Sequence, residues 1–124
     1  MNLTKAEEQI MQILWELDKA FVKEIIEKFD SPKPAYNTVS TIIRILEKKK
    51  FVSHNSFGKT HQYYPLIKKD IYKKNTLNKM LDGYFNKSYK NLVSFFSSVE
   101  ELSIEDMEEI KKMMDLKIES LKNK

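Results

Sequence analysis

The chain has 124 residues, 2 glycines, 3 prolines and no cysteine, with 41% apolar and 32% charged residues, a composition suited to one small helical domain plus an appendage. Lacking cysteine, it has no disulfide framework, no thiolate catalysis, no Cys-based zinc site and no thiol redox switch. Its net charge of +4 is unevenly spread: residues 1–30 hold 4 basic against 7 acidic side chains, residues 31–69 hold 8 against 1, and residues 70–124 hold 10 against 10. All the excess sits in the middle segment, where phosphate contacts would need it.

The start MNLTKAEEQ lacks the apolar core of a signal peptide, and no apolar run approaches the ~20 residues needed to cross a bilayer. A cytoplasmic protein without membrane contact is expected. Thr4-Lys5-Ala6-Glu7 is a capping-box pattern, and Ile10, Ile13, Leu14 and Leu17, widened by Met11 and Trp15, give helix 1 its stripe. Ala20 to Val22 reads as a stub strand, and Val22, Ile25, Ile26 and Phe29 mark helix 2. The two prolines of Ser31-Pro32-Lys33-Pro34 forbid a continuous helix, so the chain turns there.

Ala35 to Lys50 follows, read AYNTVSTIIRILEKKK. At 3.6 residues per turn, Val39, Ile42, Ile43 and Leu46 form a buried stripe. The opposite face carries Asn37, Ser40, Thr41, Arg44 and Lys48. Asn pairs bidentately with adenine, Arg with guanine, and Ser or Thr with base edges or phosphate, so this row has the chemistry of major-groove readout. An ordinary solvated polar face is the alternative, and the segregated charge argues against it.

Phe51 to Asn55 and Thr60 to Pro65, joined by Ser56-Phe57-Gly58-Lys59, are expected to form a β-hairpin. Val52, Tyr63 and Tyr64 would close it over the core, leaving Lys59 and His61 on its polar part. Three helices and a basic-tipped hairpin in this order are those of a winged helix-turn-helix domain. The predicted fold is therefore mainly α: a winged-helix DNA-binding domain over residues 1–67 and a helical dimerisation region over residues 68–124.

In that second region Ile71, Leu77, Met80, Leu81 and Tyr84 form an irregular stripe, with Gly83 and Asn86 loosening the join to the next helix. Tyr89, Leu92, Val93 and Phe96 form a regular stripe, and Ser103-Ile104-Glu105-Asp106 opens a last helix with Met107, Ile110, Met114 and Leu121 on one face. So few residues bury their own apolar faces poorly, because helical units below about 60 residues are marginal alone. A second copy of the chain is the expected partner, since a two-fold dimer buries identical patches and suits two DNA half-sites.

With these pieces in place the chain resembles the penicillinase-repressor family, which includes β-lactamase, methicillin-resistance and copper-responsive repressors. The resemblance spans nearly the whole chain and rests on LTKAEEQIMQILW, VKEIIEKF, YNTVSTIIRILEKKKFV and KNLVSFFSSVEELSIEDMEEI. It implies a dimeric repressor that occupies a pseudo-palindromic operator. Carried onto this sequence, it adds Thr38 to Asn37, Ser40, Thr41 and Arg44 as reading residues, and sets Lys48 and Lys49 against phosphate. It also implies derepression by a sensor-linked protease, cutting between Phe95 and Phe96 in NLVSFF. Phe95 stands where the family often has Asn. The copper-responsive branch uses a cysteine motif, which this chain lacks.

No nucleophile, base and oxyanion donors are arranged here: GxSxG, HExxH and a phosphate-cradling glycine loop are all absent. No enzyme, metal or cofactor is expected. Ser94, Ser97 and Ser98 read as a helix surface, and His54 with His61 make an incomplete metal site. The alternative is a winged-helix protein- or RNA-interaction module without specific operator binding. The polar face of helix 3 has none of the aromatics that stack on single-stranded bases, which favours a duplex groove.

Overall fold

The reciprocal capping box forms as the sequence predicts. In the computed structural model, which describes residues 2–99 and 101–124, the Thr4 hydroxyl accepts from the Glu7 N–H at 3.1 Å and the Glu7 carboxylate accepts from the Thr4 N–H at 2.8 Å. Two of the N–H donors at this terminus are thereby satisfied as helix α1 (Lys5–Leu17) begins. A stub strand β1 (Ala20–Phe21) leads into α2 (Val22–Glu27), where the Glu24 carboxylate accepts from the Phe21 N–H at 2.8 Å. Phe29 lies past the end of α2 yet still packs on the core.

The Ser31–Pro32 peptide is cis. Lys33 closes the turn by donating from Nζ to the Glu27 and Phe29 carbonyls at 2.9 and 2.7 Å, which satisfies carbonyls left open at the end of α2. Helix α3 (Tyr36–Lys48) then buries Val39, Ile43 and Leu46, with Ile42 half-buried. It ends in a Schellman motif: the Phe51 N–H donates to the Leu46 carbonyl and the Lys50 N–H to the Glu47 carbonyl, with Lys50 left-handed at φ 67°. Buried Phe51 and Leu46 supply the apolar contact that accompanies such an ending. The chain is thus aimed from the end of α3 straight into the hairpin.

Strands β2 (Val52–Phe57) and β3 (Thr60–Pro65) pair antiparallel, and β1 adds to the other side of β3, giving the order β1-β3-β2. The four-residue joint expected at Ser56 to Lys59 is tighter in the structure. Ser56 and Phe57 pair with His61 and Thr60, and only Gly58 and Lys59 turn. Gly58 takes φ 62° at the first central position, which two-residue hairpin turns demand and glycine supplies without strain. Ile10, Met11, Leu14, Ala20, Ile25, Val39, Ile43, Leu46, Phe51, Val52 and Tyr63 make one core under helices and sheet.

The chain divides into two compact units, Met1–Asn75 and Thr76–Lys124. Helix α4 (Lys69–Tyr84) starts in the first and ends in the second. The first unit runs past residue 67 because Trp15 reaches forward: its Nε1 donates to the Ile67 carbonyl at 2.8 Å, and its ring lies 5.4 Å from Tyr72. The second unit holds the rest of α4, then α5 (Tyr89–Ser97) and α6 (Ile104–Lys122). Gly83 stays inside α4, and the chain reverses at Asn86 and Lys87, both with positive φ. Ser103 caps α6 as expected, accepting from the Asp106 N–H at 3.0 Å. Among the described residues no helix is long and apolar enough to cross a membrane.

One ion pair clamps α3 to the start of α1. Glu7, 4% exposed, takes the Lys49 ammonium on its Oε1 at 2.8 Å, across 42 residues of chain. Burial pushes the Glu7 carboxyl up, but the Lys49 ammonium and the Thr4 donors more than offset that and hold it below the ordinary value of 4.5. With the folded value depressed, the pair stabilises the fold above about 4.5 and that contribution fades as pH falls through the folded value. Glu7→Gln should cost about 1–3 kcal/mol at neutral pH. Urea unfolding of both proteins should show this gap near neutrality and its progressive narrowing as pH falls below the ordinary value of 4.5; a gap that stays constant into acid would contradict the assignment.

Candidate nucleic-acid interface

The rotation of α3 is fixed by its buried stripe, and that rotation decides what faces outward. Asn37, Thr38, Thr41, Arg44 and Lys48 are exposed and Ser40 is half-buried, so the row expected from periodicity stands clear of the core. Arg44 lies along the helix, its Nε donating to the Ser40 carbonyl and its terminal nitrogen to Ser40 Oγ, both at 3.3 Å. These are long, exposed bonds that a better acceptor displaces at small cost. Ser40 thus parks the guanidinium on the outer face.

The N-terminus of α3 is built differently from those of α1 and α6. Both of those carry a capping box and acids in the first turn; α3 has Ala35 at its N-cap, no side-chain cap and no acid in the first turn. No side chain of its own first turn offsets the positive end of its dipole.

Between α3, the start of α2 and the hairpin runs a groove of about 560 Å³. Tyr36, Ser40 and Arg44 form one wall, Lys59, Thr60 and His61 another, and Phe21 with Lys23 and Glu24 the third. A second surface hollow on the far side of Arg44 is lined by Thr41, Ile45, Glu47 and Lys48. Arg44 therefore sits at the ridge between the two hollows. The structure brings Lys59 and His61 to the same groove as Ser40 and Arg44.

Lys49, of the expected phosphate set, is also engaged within the fold. Its ammonium is held by Glu7, so it anchors the end of the helix although its side chain, like that of Lys48, is exposed. Tyr36, 49% exposed, was not among the expected residues although it begins the Tyr36, Ser40, Arg44 row at i, i+4 and i+8. At the far end of the helix, Glu47 reaches across to β2: its Oε2 lies 2.5 Å from His54 Nδ1. The His54 ring stacks on His61, with centroids 3.9 Å apart and planes 8° from parallel. Burial raises the Tyr63 phenol above its ordinary value, and nearby Glu47 adds to that rise, so Tyr63 closes the back of this cluster as a neutral ring. Among the described residues no group of three or more His, Asp or Glu side chains is arranged to hold a metal ion.

The second unit carries a different surface. Of the expected dimer residues, Tyr89, Val93, Met107, Met114 and Leu121 are exposed, while Leu92, Phe96 and Ile110 are half-buried. Helix α6 has no buried residue at all among those described, although Ile104, Met113, Leu116 and Ile118 add to its apolar exposure. Phe95, 60% exposed, edges onto Phe85 at 5.7 Å, and the Phe95–Phe96 bond lies near the end of α5.

A family profile described as penicillinase repressor matches residues 3–116. The methicillin resistance regulatory protein MecI of Staphylococcus aureus is 32% identical over 121 residues, covering 94% of this chain and 95% of its own. The penicillinase repressor of Staphylococcus aureus is 26% identical over 116 residues, 93% of this chain and 92% of its own. Among solved structures, the DNA-binding domain of the repressor BlaI matches with a TM-score of 0.50 at 25% identity, over 57% of this chain and 88% of that one.

The two lysines of the helix end separate the roles of this surface. Lys48→Gln and Lys59→Gln should each lower the salt slope of duplex binding by about 1, as loss of one phosphate contact does. Lys49→Gln should leave the slope in place and lower the unfolding midpoint instead. Binding titrations across a salt series, beside thermal melts, check both; a Lys49→Gln slope reduced like the others would place that ammonium on phosphate.

Proposed function

We propose that the chain, which belongs to the penicillinase repressor family, works as a homodimer on a pseudo-palindromic operator. As a member of that family it is a DNA-binding transcriptional repressor. In this reading α3 lies in the major groove, with Asn37, Thr38, Ser40, Thr41 and Arg44 toward base edges and Lys48 toward phosphate. The hairpin brings Lys59 and His61 to the adjoining backbone. The observation that carries this reading is the polar row of α3 standing free beside an uncapped helix start and a cationic groove.

The dimer is proposed from the second unit, whose apolar side chains outnumber what its own helices cover. A C2 pairing would bury the same faces of α5 and α6 on both copies and link two reading heads. Relief by a sensor-linked protease fits the same region: a cut between Phe95 and Phe96 would separate α6 from the reading head. Repression of this kind acts on cytoplasmic DNA.

Mobility shift with the chain's own upstream region should give a specific complex, and equal affinity for random duplex would sink this reading. Arg44→Ala should cost about 1–3 kcal/mol where the side chain reads a guanine. For the dimer, Val93→Glu with Met114→Glu places charge on exposed positions that the single chain tolerates. Light scattering should then find a monomer at micromolar concentration, with operator affinity lowered by about a hundredfold or more through lost avidity. A variant that remains dimeric would move the contact elsewhere.

A further inference from the structure

Three side chains join the reading helix to the hairpin. Glu47 sits in the last turn of α3, His54 in β2 and His61 in β3, and the Glu47 carboxylate meets His54 Nδ1 at 2.5 Å while the two imidazoles stack at 3.9 Å. Each interaction fixes what the next depends on. The carboxylate orients the His54 ring about its own bond, and the ring face then sets where the His61 ring lies. His54 is half-buried; His61 is exposed and lines the groove with Ser40, Arg44 and Lys59.

We propose that Glu47 and His54 are positioning residues for the DNA contact: through the stacked ring they hold His61, and with it the hairpin, at the groove that receives phosphate. This rests on the reading of α3 and the hairpin as a DNA-binding surface. A polar clasp between helix end and wing adds to the Phe57–Phe21 ring contact, at 5.7 Å, by which the hairpin tip meets the start of α2. Without the clasp, the wing cations would lose orientation entropy at the moment of binding.

The clasp is built of imidazoles, so its hold on phosphate is pH-dependent. Imidazole changes charge between about pH 5 and 8, and a charged His61 against a phosphate adds a contact that a neutral ring lacks. The titratable and charged groups facing the stack are Glu47, Arg44 and Tyr36 from α3 and Tyr63 from β3. Across the groove stand Lys23 and Glu24 from α2 and Lys59 from the turn. A phosphate seated in the groove favours the charged ring over the neutral one, so operator binding should take up a proton.

The test titrates the full chain, Glu47→Gln, His54→Phe and His61→Gln into a labelled duplex of the chain's own upstream region. Measurements at about pH 6 and about pH 8, at one ionic strength, bracket the imidazole range. The unchanged chain should bind about three- to tenfold tighter at the acid end, the scale of one added phosphate contact. His61→Gln should bind alike at both ends. His54→Phe keeps a ring to stack but gives Glu47 no donor, and Glu47→Gln keeps the shape but not the charge. Both should lose most of the pH gain while their melting midpoints stay near that of the unchanged chain. A purely structural role would lower affinity equally at both pH values, so variants that keep the full pH ratio overturn the proposal.

A readout without DNA separates this from the parent reading. In the free protein the His61 ring-proton resonance should move on Glu47→Gln, and an unmoved resonance overturns the positioning role whatever the duplex shows. An unchanged chain that cannot tell its upstream duplex from random DNA removes the reading on which the proposal stands.

Discussion

The burial of Val39, Ile43 and Leu46 beneath α1 and α2 is the constraint on which the interface depends. A helix seated on three such residues cannot rotate without exposing them, and full burial of each is worth about 1.5–3 kcal/mol. Rotation by one residue would turn Ser40, Arg44 and Glu47 toward the core and bring Ile42 and Leu46 outward. The polar face is thus determined by what lies behind it. Two further restraints hold the helix lengthwise. The Schellman ending ties it to Phe51, and the Glu7–Lys49 pair ties its last turn to the first turn of α1. Precision at the reading face comes from packing and clamps on the opposite side.

Much of this was legible in the sequence because the signals are local. Thr4 to Glu7, the i, i+3, i+4 stripes and the prolines after α2 each act within a few residues, so periodicity and capping rules read them directly. The reading row on α3 emerges from the same period. What escaped is long in range or set by three-dimensional approach. Lys49 looks like its neighbour Lys48 in a run of lysines, and only the fold shows that Glu7, 42 residues earlier, holds it. Glu47 and His54 are likewise an unremarkable acid and a strand histidine until the Schellman turn folds β2 back beside the helix. The hairpin joint is two residues shorter than the sequence suggests, because pairing with His61 and Thr60 across the turn draws Ser56 and Phe57 into the ladder.

The two units of the chain put apolar side chains to opposite uses. The first encloses Ile10, Met11, Leu14 and their partners almost completely, while the second leaves Met113, Met114, Leu116 and Leu121 open along α6. In the dimer reading, the stability of that second unit is inseparable from protomer concentration, as for any element whose core is completed by another copy. Operator occupancy would then respond more steeply to cellular abundance than a single-site binder could.

The unequal spread of charge noted at the outset has a consequence for arrival. Residues 31–69 carry 8 basic side chains against 1 acidic, while residues 1–30 carry 4 against 7. Such a separation sets the cations of α3 and the hairpin, Arg44, Lys48 and Lys59 among them, against a net acidic α1 and α2. In the field of a duplex, the protein is turned toward productive orientation before any contact forms, and encounters by the acidic side are turned away. The same separation lets a loosely held protein slide along the backbone with its reading face kept inward, so the search for an operator proceeds along the DNA and not only through solution.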